Sequence, residues 1–161
     1  MRRRGDPLPT WSPTSGAETP VTIVYFDSSA FVKLVVEEEG TDLAAALWDG
    51  CDAAVSSRLA HPEVCAALAA AERGHRLEVP ERRRAEALWE DYWASTRVVE
   101  LTEAVSAEAG RLAGVHGLRG ADAVHLASAL AVGSSTVLFA VWDRRLRAGA
   151  REAGVSLAPP G

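Results

Sequence analysis

The chain has 161 residues, 48% of them hydrophobic and 24% charged, which suits one globular domain with a sizeable core. A net charge of −5 excludes a generally basic nucleic-acid binder; a polyanionic partner would need bound cations or a local arginine patch. No run of about 20 apolar residues is present, so no membrane span is predicted, and Arg2-Arg3-Arg4 lack the apolar segment of a secretory signal.

Residues 1–20 carry Pro7, Pro9, Pro13 and Pro20 among Gly, Ser and Thr, and predict a flexible extension before a single domain over 21–161. The domain opens at Val21–Phe31, where a β-branched and aromatic run stops at one carboxylate, Asp27. Such a run suits a fully buried strand, and Ser28 and Ser29 are candidate caps for the helical segment that follows. Asp27 then lies at the carboxyl end of a strand, the edge where open α/β sheets bind ligands; a plain turn aspartate fits equally. Gly40-Thr41-Asp42 predicts a helix boundary, with a helix from about Leu43 to Asp49 and a weak strand at Ala53–Ser56. Helices follow from about Leu59 to Arg73, with Pro62 and Glu63 in the first turn, and from about Glu81 to Ala94. Val98–Leu101 predicts a third strand, and Thr102 caps a helix through about Val115. The segment from about Ala121 to Val132 is apolar nearly all round, as expected of a central helix. Val137–Val141 is a further buried strand, leading to Trp142-Asp143 and a short basic helix, with Val155-Ser156-Leu157 as an edge strand. Buried strands separated by helices imply a three-layer α/β/α sandwich with a mainly parallel central sheet.

Lys33 is the only lysine, so basic chemistry falls to arginine. Cys51 and Cys65 lack metal-ligand spacing and read as core thiols of a reducing cytoplasm in preference to a disulfide.

In a parallel sheet, Asp27 and Asp143 share one edge, and helices that follow strands begin there too, each with an acid in its first turn: Glu63 and Asp122. Asp122 stands on an otherwise apolar helix, where a carboxylate needs a partner, a metal or the helix dipole. Grouped carboxylates without histidine or cysteine ligands suit Mg²⁺ or Mn²⁺ over zinc. That donor set serves metal-assisted hydrolysis of phosphodiesters.

The segments Tyr25-Phe26-Asp27-Ser28-Ser29-Ala30, His61-Pro62-Glu63, Arg119-Gly120-Ala121-Asp122-Ala123-Val124-His125-Leu126-Ala127 and Trp142-Asp143-Arg144-Arg145-Leu146 together resemble the PIN domain. They are most similar to the VapC-type toxins of bacterial toxin–antitoxin pairs. The resemblance implies a Mg²⁺- or Mn²⁺-dependent endoribonuclease in the cytoplasm, with Asp27, Glu63, Asp122 and Asp143 as its metal-holding catalytic acids and Ser29 supporting Asp27. It also implies a small VapB-like antitoxin laid over the acidic groove, and a homodimer. Phe31, Val35, Trp48 and Leu43 are the apolar residues expected on such an interface, or else in the core. Many relatives carry Thr or Ser two residues before the last acid, where this chain has Val141.

Arg119, Arg144 and Arg145 are candidates for RNA phosphate contacts, with Arg147 in the same cluster. His125 has no partner placed by the sequence and is expected to be a packed or surface histidine. A phosphoacceptor receiver domain would need paired acids and a late lysine, and a haloacid-dehalogenase-like phosphatase would need Asp-x-Asp; this chain has Ser28 and Ser29 after Asp27. The remaining rival is a PIN-fold RNA- or protein-binding module with little or no turnover.

Overall fold

Five short apolar runs pair into one parallel sheet, and the longer segments between them become helices on its two faces. The computed structural model describes residues 21–160, so the expected N-terminal extension over 1–20 lies outside the described residues. In chain order the elements are β1 (Ile23–Phe26), α1 (Ser28–Val35), α2 (Thr41–Gly50), β2 (Ala53–Ser57), α3 (Ala60–Arg73) and α4 (Val79–Ala94). They continue with β3 (Arg97–Val99), α5 (Glu103–His116), α6 (Gly120–Val132), β4 (Val137–Ala140), α7 (Arg144–Glu152) and β5 (Ser156–Ala158).

The strand order is β3-β2-β1-β4-β5, and every pairing is parallel. In register, Tyr25 of the central strand lies between Val55 and Phe139. Successive strand residues point to opposite faces, so Val24 and Phe26 join one core and Tyr25 the other. The first core adds Phe31, Val64, Leu68 and Trp89 from α1, α3 and α4. The second adds Leu112, Leu126 and Leu146 from α5, α6 and α7. The expected α/β/α sandwich is thus the observed one.

The chain walks from β1 out to β3 and then returns across β1 to β4. The connections on the two sides therefore use opposite faces, as right-handed crossovers require. That reversal opens a crevice at the carboxyl ends of β1 and β4, the topological switch point of the sheet.

Two details of the first helix decide between alternatives that the sequence leaves open. Its N-cap is Asp27 itself, which accepts from the Ala30 N–H at 2.9 Å, while Ser29 donates to the same Asp27 Oδ1 at 2.7 Å. The serine supports the cap instead of forming it. Phe31 and Val35 are core residues, not interface: the Phe31 ring is fully buried, 4.9 Å from Trp89 and 5.5 Å from Phe26 between ring centres. Trp48 and Leu43 of α2 are half-buried. Among the described residues no helix is long and apolar enough to cross a membrane, and both cysteines are free thiols.

The sole lysine is fully engaged. Lys33 Nζ bonds Glu38 Oε1 at 2.8 Å and the Glu39 carbonyl at 2.7 Å, and lies 5.3 Å from the Trp142 ring centre. Gly40 closes this loop with a φ of +93°, and a Cβ there would stand 2.8 Å from Trp142 Nε1. Gly40→Ala is therefore expected to lower stability by about 1–3 kcal/mol through left-handed strain and the displaced indole. Urea denaturation with an unchanged m-value would register this; an unaltered midpoint would show that the loop yields freely.

Candidate active site

Four carboxylates reach the crevice from four different elements. Asp27 follows β1, Asp143 follows β4, Glu63 lies in the first turn of α3 and Asp122 in the first turn of α6. Since β1 and β4 are hydrogen-bonded neighbours, Asp27 and Asp143 share one end of the sheet, and Asp27 N–H extends the ladder to the Ala140 carbonyl at 3.3 Å. Glu63 comes from the helical layer on one face and Asp122 from the layer on the other.

Asp27 is the most enclosed, with 3% of its surface exposed. Burial is the main cause that pushes its carboxyl up to about 6, with Glu63 adding to it against the opposing pull of His125, Ser29 and the Ala30 N–H. Both of its protein donors bond Oδ1, which leaves Oδ2 without a donor among the described residues. Asp122 is also raised, first by burial and then by Asp143, with Glu63 contributing and Arg119 and His125 opposing. Asp27 and Asp122 therefore both feel Glu63, and Asp122 feels Asp143 as well: the four acids form one electrostatic neighbourhood. Asp143 is exposed and caps α7, accepting from Leu146 N–H at 2.9 Å through Oδ1. A cavity of about 310 Å³ opens beside this group, lined by Ser28, Ser29, Val32, Glu38, Glu63 and Ala67.

His125 departs from its expected role as a packed or surface residue without a partner. It is 2% exposed and spans the two faces at the sheet edge: Nε2 lies 2.6 Å from Glu63 Oε2 and Nδ1 lies 2.9 Å from the Tyr25 hydroxyl. Burial raises the Tyr25 hydroxyl far above its usual range, so it stays a phenol. A phenol can both donate and accept, so it can pair with Nδ1 whichever way the ring is protonated, while Nε2 faces the Glu63 carboxylate, which accepts from it. The sequence carried one signal of this, because His125 lies almost one helical turn after Asp122.

Val141, in place of the usual hydroxyl residue, is completely buried, so no side-chain hydroxyl reaches Asp143 from there. Arg147 is a structural tie, not a phosphate contact: it donates to the carbonyls of Val141 at 2.7 Å and Pro159 at 2.8 Å. Arg119, Arg144 and Arg145 are exposed around the crevice, at the starts of α6 and α7.

Among the described residues no three His, Cys, Asp or Glu side chains close into a finished metal cage. Mg²⁺ does not require one, since it keeps several waters and is commonly held through one or two carboxylates. Two raised carboxyls, a free Asp27 Oδ2 and an all-oxygen donor set fit such a hard cation.

A family model for the PIN domain matches residues 24–151. Two curated proteins of Mycobacterium tuberculosis, Ribonuclease VapC45 and Ribonuclease VapC49, are each 65% identical over 137 residues, which span 85% of this chain and 95% of theirs. Among solved structures, PAE2754 from Pyrobaculum aerophilum superimposes with a TM-score of 0.59 at 22% identity, covering 85% of this chain and 91% of its own.

Proposed function

The chain belongs to the PIN-domain family, and from that membership we propose that it is a VapC-type endoribonuclease, the toxin of a toxin–antitoxin pair. The observation that carries this reading is the single electrostatic neighbourhood formed by Asp27, Glu63, Asp122 and Asp143 at the switch point. Asp27, Glu63 and Asp122 hold a divalent cation, Mg²⁺ or Mn²⁺, directly or through water, and Asp143 completes the set. When bound, the cation activates water and neutralises charge on the scissile phosphate, as metal-assisted phosphodiester hydrolysis requires.

The chain's own side chains set up that chemistry. Ser29 and the Ala30 N–H fix Asp27 through Oδ1. His125, oriented by Tyr25, fixes the Glu63 carboxylate. Arg119, Arg144 and Arg145 take neighbouring phosphates of the RNA, which offsets the chain's net negative charge locally.

The partner is a VapB-like antitoxin whose arginine would pair with the same carboxylates. A homodimer would draw on the half-buried Leu43 and Trp48, since Phe31 and Val35 are core. The protein would act in the cytoplasm, consistent with its free thiols. No observation favours the binding module without turnover.

The deciding assay is cleavage of a structured RNA mixture by purified, antitoxin-free protein with Mg²⁺, Mn²⁺ or EDTA. Cuts that appear with metal and vanish in EDTA are expected. Cutting that persists in EDTA would remove the metal from the mechanism, and no cutting with any metal would favour the binding module.

A further inference from the structure

A further acid, Glu38, borders the crevice without belonging to the four-carboxylate group. It lines the cavity of about 310 Å³ together with Ser28, Ser29, Val32, Glu63 and Ala67. Glu63 and Ala67 stand four residues apart on α3, and Ser28 and Val32 four apart on α1, so each pair shares one helix face. Glu63 therefore belongs both to the carboxylate group and to the cavity wall, and Ser29, another wall residue, donates to Asp27. A ligand in this cavity lies beside the catalytic acids.

Glu38 is held in place although it sits on an exposed loop. Its N–H donates to Thr41 Oγ1 at 3.0 Å, and its Oε1 accepts from Lys33 Nζ at 2.8 Å. Lys33 is fixed in turn by the Glu39 carbonyl at 2.7 Å and by the Trp142 ring. The only lysine of the chain thus orients one carboxylate and balances its charge, leaving Oε2 without a donor among the described residues. Such a fixed acceptor is prepared for a hydrogen-bond donor before any ligand arrives.

We propose that this cavity takes one unpaired nucleobase bearing an exocyclic amino group, beside the bond that is cut, and that Glu38 reads that amino group. The inference rests on the ribonuclease reading above. The lining selects the occupant. No arginine or lysine lines the cavity, so a phosphate would meet acceptors and be repelled. Both wall carboxylates already have partners, Lys33 on Glu38 and His125 on Glu63, so a neutral donor fits better than a second cation. Val32 and Ala67 give a flat ring an apolar wall, and the two serines add hydroxyls at its edge. An amino group donates to Glu38 Oε2, whereas uracil turns carbonyl oxygens towards the same carboxylate. The volume lies at the small end of ligand sites and suits a single base.

The test uses the full chain with fluorescently labelled ten-nucleotide RNAs of adenine, cytosine or uracil, bound in Ca²⁺ and followed by anisotropy. A second set of adenine strands carries one purine, which lacks the amino group, walked along the strand. Glu38→Gln keeps an oxygen for Lys33 and presents an amide –NH₂ in place of the acceptor; Ala67→Leu fills the cavity from α3. Both variants are checked for folding by circular dichroism. The wild type should bind the adenine and cytosine strands about tenfold more tightly than uracil, and one purine position should cost about tenfold. In Glu38→Gln that position should cost nothing further, and the uracil strand should bind at least as well as adenine. That reversal reports hydrogen-bond readout, which a loosened loop would not produce. Ala67→Leu should weaken the adenine strand about tenfold and leave the uracil strand at its wild-type level.

Equal binding of adenine and uracil strands by the wild type, or a purine penalty that survives in Glu38→Gln, would overturn the subsite while leaving the ribonuclease reading in place. Unchanged adenine binding in Ala67→Leu would also overturn it, since the cavity would then take no base. Failure of the wild type both to bind and to cut RNA would overturn the two readings together.

Discussion

Asp27→Asn is expected to reduce RNA cleavage by at least about 100-fold while making the metal-free protein more stable. The loss of activity follows from removing a charge that, in the proposed site, would hold the cation; even residues that only orient metal ligands commonly cost 10–100-fold. The gain in stability follows from burial. Desolvation raises the Asp27 carboxyl from 3.8 to about 6, so between those values the folded protein binds a proton that the unfolded chain has released. Stability therefore falls as pH rises through that window, and the cost is complete above about pH 6. A displacement of this size corresponds to about 3 kcal/mol. Asparagine keeps an oxygen for the Ala30 N–H and the Ser29 hydroxyl, so the cap of α1 survives without the buried charge. In EDTA at pH 8, urea denaturation should place the variant about 1–3 kcal/mol above the wild type, with the difference shrinking as pH falls below about 6. Added Mg²⁺ should stabilise the wild type and leave the variant unmoved. A wild type that is the more stable of the two in EDTA at pH 8 would mean that Asp27 is not held at such a cost.

His125→Ala should lose on both counts. The substitution takes the donor from Glu63 and leaves the Tyr25 hydroxyl without its partner in a fully buried position. An orphaned buried polar group costs about 1–3 kcal/mol, and the vacated ring volume adds to it, for a total of about 2–4 kcal/mol. Affinity for Mn²⁺, read by calorimetry, should fall about 10–100-fold because Glu63 is no longer fixed. Tyr25→Phe keeps the imidazole and removes only the hydroxyl that orients it, so a smaller loss of both is expected. Mn²⁺ affinity that survives intact in His125→Ala would show that Glu63 holds its place without the histidine.

Much of the molecule is legible along the chain because its signals are local. Strand runs that end at Asp27 and just before Asp143, and helices that begin at Glu63 and Asp122, can be read from periodicity and capping within a dozen residues. Parallel pairing then puts Asp27, Asp143 and, through the helix after β2, Glu63 on one edge whatever the strand order; Asp122 joins them because α6 leads straight into β4 and so starts near the edge where β4 ends. The helix Gly120–Val132 was equally plain, since a segment apolar on every side has to be central.

Other features depend on which distant segments the packing brings together, and local pattern carries no information about that. Phe31 and Val35 have the hydrophobicity of an interface and of a core alike; only closure of α1 onto Trp89 makes them core. Arg147 sits in the same basic cluster as Arg144 and Arg145, yet the fold spends it on two backbone carbonyls. His125 acquires its partners across separations of 62 and 100 residues, because the return crossing to β4 lays α6 against β1. Arg58 likewise meets Glu100, 42 residues further on, through the pairing of β2 with β3. The sequence by itself thus determined the layers, the acidic edge and the class of chemistry, because those follow from periods and element ends. The tertiary structure alone decided which neutral and basic side chains serve that edge, because their contacts arise from long-range packing.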